Sequence, residues 1–196
     1  MTVDWFLALV IFAFVTSATP GPNTMMLMAS GVNFGFRRTV PHMTGIVFGF
    51  SGMILSVGLG VAGVFQAEPR ADLVLKALSV VYMLWLAWKI ATAAPPRPEE
   101  ASGQPFSFVQ AAAFQWVNPK AWAIATTGTI AFAPGQQMVE MIWVAAVFAL
   151  VGVPAVVIWA GLGHKMRNFL SDLRRLRIFN VTMAVLLVLS IWPVLA

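Results

Sequence analysis

Two short polar stretches, Thr19-Pro20-Gly21-Pro22-Asn23 and Asn118-Pro119-Lys120, interrupt long apolar runs in this chain. A proline inside such a run removes a backbone donor and clashes with the preceding turn, so a helix must stop or kink there. Asn118 is a favoured N-cap and Pro119 suits the first helical position, so a new helix is expected to start at Pro119. Thr19-Pro20 or Pro22-Asn23 can start a helix in the same way. A helix start offers unbonded N–H groups and the positive end of a dipole, which suits a carboxylate. Beside the two starts, Asn23, Gln115 and Asn118 supply amides, Thr19, Thr24 and Thr126 supply hydroxyls, and Lys120 supplies a cation. This is chemistry for holding a small polar acid.

Lys120 is the sharpest single residue, being the one charged side chain placed deep in an apolar run. An ionisable group at membrane depth is expensive and marks a functional site by default. Two readings stay open: it lies on a solute pathway, or it caps carbonyls left loose by the broken first helix. No Asp or Glu sits deep enough to pair with it. Its counter-charge is then a substrate carboxylate or a backbone carbonyl.

The elements that must position these residues follow from composition. Hydrophobic residues make up 60% of the 196 residues, charged residues only 10%, and mean hydropathy is +0.85. A soluble globular domain does not look like this. Six segments of roughly 20 residues or more, the length a bilayer core requires, are expected to be helices. They run from Trp5 to Met28, Thr39 to Phe65, Ala71 to Ala91, Phe106 to Phe132, Met138 to Leu162 and Ile178 to Ala196. The fold class is therefore an all-α membrane protein with six transmembrane helices and broken helices 1 and 4. The first segment lacks a basic flank and is not expected to be a cleaved signal peptide. Cysteine is absent, which excludes disulfide and thiol chemistry.

The net charge of +5 invites a nucleic-acid reading, but its distribution argues for orientation in a membrane instead. Arg37, Arg38, Lys89, Arg97, Lys165, Arg167, Arg174, Arg175 and Arg177 fall in the loops of one side, and only Arg70 and Lys76 on the other. By the positive-inside rule both termini lie on the non-cytoplasmic side. Trp5 and Trp192 then sit near the outer interface and Trp88 near the inner one. The partners expected are a small solute and the lipid bilayer, with no nucleic acid.

The stretch 94–105 is rich in proline and acidic residues and reads as a cytoplasmic linker inside one membrane domain spanning 1–196. It separates a first three-helix repeat, 1–93, from a second, 106–196. Three spans per half mean that the halves enter the membrane from opposite sides, so related halves form two inverted three-helix repeats. Both prolines come roughly 20 to 24 Å into their helices, at or past mid-bilayer. The second segment carries small residues at Gly45, Gly49, Gly52, Ser56, Gly60 and Gly63 along one face. Such a face serves tight packing within the monomer, or a homodimer seam or sliding surface.

The remaining candidates support other chemistry poorly. His42 and His164 fall near the inner boundary, far apart, and a lone histidine there is more often structural. Two distant histidines do not make a metal site, and nothing in the chain requires a cofactor. Met25, Met26 and Met28 form a cluster that suits soft copper, yet no second cluster completes a ligand shell, so packing is expected. Trp116 and Trp122 flank the second break as cavity walls or as filler. A membrane-embedded enzyme needs an activated nucleophile or a metal, and the hydroxyls here have no deep base. A non-transporting helper subunit would use the glycine faces for docking but has no need of two mid-membrane breaks.

Thr19-Pro20-Gly21-Pro22-Asn23, followed by Gly31, Gly35, Gly45 and Gly49, resembles the N-terminal signature of the LysE/RhtB family of amino-acid exporters. The stretch from Phe114 to Trp122, which contains Gln115-Trp116-Val117-Asn118-Pro119-Lys120, is similar to that family's second-half motif. The resemblance covers nearly the whole length. Tyr82 to Thr92 and 33–37 are similar to the cysteine and O-acetylserine branch. The resemblance implies a secondary exporter of small amino acids across a bacterial inner membrane. Thr19, Pro20, Gly21, Pro22, Asn23, Gln115, Asn118, Pro119 and Lys120 would then be the substrate-binding residues. Gln115-Trp116-Val117 stands where the family often has Leu or Asn, which bears on substrate choice.

Overall fold

The protein is described here from a computed structural model covering residues 2–61, 69–93, 104–135, 137–167 and 169–191. Helix α1 (Val3–Ala18) starts where the Thr2 hydroxyl accepts from the Trp5 N–H at 3.2 Å. It stops at Thr19, which takes the extended conformation required before a proline. Helix α2 (Pro22–Phe34) follows after a bend of 54°. At Gly35, φ is 81°, a left-handed conformation that favours glycine, and α3 (Phe36–Gly58) begins directly after it. Helix α4 is Pro69–Ala91.

The second half of the chain begins at residue 104 of the described residues. Helix α5 (Phe108–Phe114) opens with a capping box in which Ser107 and Gln110 satisfy each other's backbone N–H groups. A 3₁₀ turn, Gln115–Val117, leads to Asn118 and then to α6 (Pro119–Phe132). Helix α7 (Met138–Met166) is the longest at 29 residues. After a short turn at Phe169–Ser171, Asp172 caps α8 (Leu173–Leu189) by accepting from the N–H groups of Arg174 and Arg175.

Both expected breaks are present, in helices one and four of the sequence reading. Among the described residues, Phe36–Gly58, Leu73–Ala91 and Met138–Met166 are each long and apolar enough to cross a membrane, and the bent pair α1–α2 makes a fourth candidate. Helix α8 is shorter than the expected sixth segment, whose last residues, 192–196 with Trp192, lie outside the described residues. So do linker residues 94–103, together with Gly63 and Phe65.

Polarity is arranged inside-out. Leu7, Ile11 and Phe14 of α1, Leu78 and Val81 of α4, and Leu150 and Ile158 of α7 are exposed. Ser30, Asn33, Thr39, His42, Gln115, Asn118 and Asn180 are buried. Apolar surface on this scale needs a non-aqueous surround.

Packing between the halves is intimate. Helix α3 packs on α7 and α4 on α8. Helices α1 and α2 of the first half pack on α7, while α5 and α6 of the second half pack on α3. Helices α2 and α7 cross backbone against backbone: a Cβ on Gly31 would strike the Ala160 carbonyl, and one on Gly163 the Met28 carbonyl. The glycine face of α3 is used in part within the monomer. A Cβ on Gly45 would lie 2.7 Å from that of Ala111, and one on Gly49 2.8 Å from that of Ala112, both on α5. Gly58 meets Met141, whereas Gly52 and Gly60 have nothing within 4 Å.

Candidate functional site

The two breaks meet. Asn23, in the first turn of α2, and Gln115, in the 3₁₀ turn, exchange two amide hydrogen bonds. Asn23 Nδ2 donates to Gln115 Oε1 at 2.9 Å, and Gln115 Nε2 donates to Asn23 Oδ1 at 3.2 Å. Gln115 Nε2 also donates to the Ala111 carbonyl at 2.9 Å, which fixes which way its amide points. Gln115 is fully buried, so its pairing with Asn23 welds one half-helix to the other.

Lys120 makes the second weld. Its Nζ donates to the Thr19 carbonyl and to the Thr19 hydroxyl, each at 2.8 Å, and to the Pro20 carbonyl at 3.3 Å. Helix α1 ends here with loose carbonyls and a negative dipole end, and the ammonium neutralises both. The sequence left open whether Lys120 caps carbonyls of the first helix; it does. The same ammonium also lies close to the start of α2, where a Cβ on Gly21 would come within 2.8 Å of Lys120 Cδ and 3.2 Å of Nζ. Gly21 is extended, at φ 178°, so a larger residue here would meet the flexible Lys120 side chain and no backbone strain.

The two helix starts are capped differently. Asn118, 2% exposed, accepts from the Lys120 N–H at 3.1 Å through its side chain and so closes the start of α6. The start of α2 has no side-chain cap. Thr24 instead turns back, its hydroxyl accepting from the Gly21 N–H at 2.8 Å and donating to the Gly21 carbonyl at 2.9 Å.

A cavity of about 80 Å³ lies against both breaks. At roughly 10 to 15 Å³ per water-sized occupant, this is room for about five to eight non-hydrogen atoms. Thr16, Ser17, Gly21, Asn23, Thr24, Asn118 and Lys120 form its polar side. Leu27 of α2, Ile46, Val47 and Phe50 of α3, Ile124 of α6, and Phe148, Val156 and Trp159 of α7 form its apolar side. Among the described residues no Asp or Glu lines it.

Of the nine residues expected at the site, Gly21, Asn23, Asn118 and Lys120 line this cavity. Gln115 braces Asn23 from behind, Thr19 and Pro20 hold Lys120 through their oxygens, and Pro22 and Pro119 are the first residues of α2 and α6. Thr126, offered as a hydroxyl by the sequence, is not among the lining residues. Trp116 and Trp122 are also absent from the lining: their rings pack edge to face at 5.9 Å, and the Trp122 indole N–H donates to the Trp116 carbonyl at 2.8 Å. They brace the second break. Met26 is buried among Met83, Leu86 and Leu187 with Met25 against them, and Met28 packs near Val32 and Leu176, as filler would. Among the described residues no three His, Asp or Glu side chains gather as metal ligands.

Sequence reasoning missed Thr16 and Ser17, although both hydroxyls lie within one turn of the first break. It also missed the wall from α7. That helix is apolar on every side, so nothing in its pattern distinguishes the residues that face the cavity.

The chain is 29% identical over 191 residues to the cysteine/O-acetylserine efflux protein of Escherichia coli strain K12, covering 96% of each chain. It matches the protein of that name from Shigella sonnei to the same extent. The Shigella flexneri protein of that name is 29% identical over 180 residues, or 90% of each chain. No solved structure matches significantly. The profile described as LysE type translocator matches residues 14–190, which include both breaks and the cavity they share, and the chain belongs to that family.

Proposed function

We propose that this protein is a secondary exporter of small neutral amino acids in a bacterial inner membrane, working by alternating access. The observation that carries the reading is the cavity between the breaks, polar on one side, apolar on the other, and without an acidic lining residue. A zwitterion's carboxylate suits the uncapped start of α2, where the nearby Lys120 ammonium, held by Thr19 and Pro20, adds to the positive potential. Asn23 keeps a second amide N–H for the carboxylate beyond its pairing with Gln115, and Thr24, whose hydroxyl hydrogen goes to Gly21, can only accept from the ammonium. The apolar wall suits an uncharged side chain, and the absence of a carboxylate disfavours lysine and arginine. The efflux relatives named for cysteine and O-acetylserine fall within this class.

The domain reading is one membrane unit of two inverted three-helix repeats, 1–93 and 106–196, with 94–105 as a cytoplasmic linker and both termini outside. Helix partnership supports it. Exchanging α1 with α5, α2 with α6, α3 with α7 and α4 with α8 maps the contacts α1–α7, α2–α7 and α2–α3 onto α5–α3, α6–α3 and α6–α7. The contacts α3–α7 and α4–α8 map onto themselves, as a pseudo-two-fold demands. Two contacts depart from it: α2 meets α8, while the turn at 115–117 meets α4 in place of α6, and α1 packs on α6 without a comparable contact of α5 on α2.

Growth protection tests the function. Expressed in an exporter-deficient bacterium, the protein should protect against toxic analogues of neutral amino acids and lower their intracellular accumulation. Analogues of lysine, arginine and glutamate should be unaffected. Protection against no neutral compound, or equal protection against lysine analogues, would refute the reading.

A further inference from the structure

His42 is the one buried polar residue among those described with every polar side-chain atom unpartnered. It is 2% exposed, and neither Nδ1 nor Nε2 has a hydrogen-bond partner among the described residues. The other buried polar side chains are bonded: Ser30 and Thr39 share a hydroxyl–hydroxyl bond at 2.9 Å, and Asn33 donates to the Ala29 carbonyl at 2.8 Å. The His42 ring lies against Phe106, with centroids 5.3 Å apart. An apolar side chain would fill this place without burying two bare nitrogens, so packing alone does not account for an imidazole here.

Its position gives it a use. Ile46 and Phe50, four and eight residues along the same stripe of α3, line the cavity. His42 is thus one turn, about 6 Å, from the cavity wall, toward the end carrying Arg37 and Arg38. Over that turn α3 is sealed by α5 and the segment before it: Phe106 covers the ring, and Gly45 and Gly49 let α5 lie directly on α3. This seam lies along α3 beside Ile46 and Val47 of the cavity wall, toward the basic end.

We propose that His42 is a proton-binding site whose occupancy opens the α3–α5 seam. The neutral ring is compatible with the dry, sealed arrangement. An imidazolium has no acceptor or counter-charge among the described residues there, so it favours an arrangement in which water reaches the ring. The proton is taken from the solvent on the Arg37 and Arg38 side and returned to it on resealing, with no other group exchanging it. The surrounding elements offer no rival. Helix α2 and residues 104–117 contain no titratable side chain. Helix α6 contains only Lys120, held at Thr19 and Pro20. Helix α7 carries Glu140 at its far end and exposed His164 and Lys165 at its near end, and on α3 itself Arg37 and Arg38 are exposed.

Because the seam flanks the proposed solute cavity, the functional meaning of the site rests on the transport reading, but its detection does not. Amide hydrogen exchange of the full chain in liposomes, corrected for intrinsic rates, should quicken about tenfold over 42–50 and 106–112 between pH 8 and pH 5. His42→Phe and His42→Gln should each abolish that dependence, while His164→Gln keeps it. A seam whose exchange ignores pH in the wild type, or whose response survives both His42 variants, overturns the proposal. Cysteine counterflow in the same liposomes separates the two readings. Its absence beside a pH-dependent seam refutes transport of cysteine alone, and its presence beside a pH-independent seam refutes the proton site alone.

Discussion

The break at 19–21 and the break at 115–118 each stop one helix and start another, yet they deal with loose backbone groups in opposite ways. The second is self-sufficient. Asn118 caps α6 with its own side chain, and the Trp122 indole takes the Trp116 carbonyl. The first depends on the other half of the chain: the carbonyls of Thr19 and Pro20 are satisfied only through Lys120, about a hundred residues away. The open start of α2 is left facing the cavity. One break is thus a rigid brace and the other a receptive surface that the brace holds in shape.

The largest effect that would break this contrast is at Lys120. Lys120→Met should reduce export below detection in a growth-protection assay and lower stability by about 1 kcal/mol, since the Thr19 and Pro20 oxygens that lose the ammonium are exposed. Normal export would mean that the first break needs no cap from the second half. Asn118→Ala removes the brace and should cost about 1 kcal/mol with export strongly reduced, whereas Asn118→Ser should retain most of both, as thermal unfolding in detergent would show. A double-mutant cycle of Asn23→Leu and Gln115→Leu should give a coupling of roughly 1 to 2 kcal/mol. Additive effects would show that the two breaks are neighbours without being joined. Gly21→Ala is the mildest: its Cβ, 2.8 Å from Lys120 Cδ, displaces a flexible side chain, so export should fall only severalfold and stability hardly at all.

Local chemistry made the breaks readable in advance. Pro22 and Pro119 at first helical positions and Asn118 as cap follow from residue type within a few positions of each other. What Lys120 does was left undecided, because its acceptors are brought to it only by the meeting of the two halves. The uncapped state of α2 was equally hidden: residue type marks Thr24 as a source of a hydroxyl but not that it spends it on Gly21. The histidine at 42 read as a boundary residue because Arg37 and Arg38 are near, but folding places Phe106 over it. Phe148, Val156 and Trp159 carried no signal at all within a uniformly apolar helix.

Gly31 and Gly163 give the crossing of α2 and α7 a mechanical character. With no side chain between the two backbones, the helices lie directly on one another in the most extensive helix–helix contact among the described residues, so neither can slide or turn without moving the other. The contact is a clasp that binds the first half of the chain to the second. Bulk added at either glycine would prise it open and push α7 away from α2.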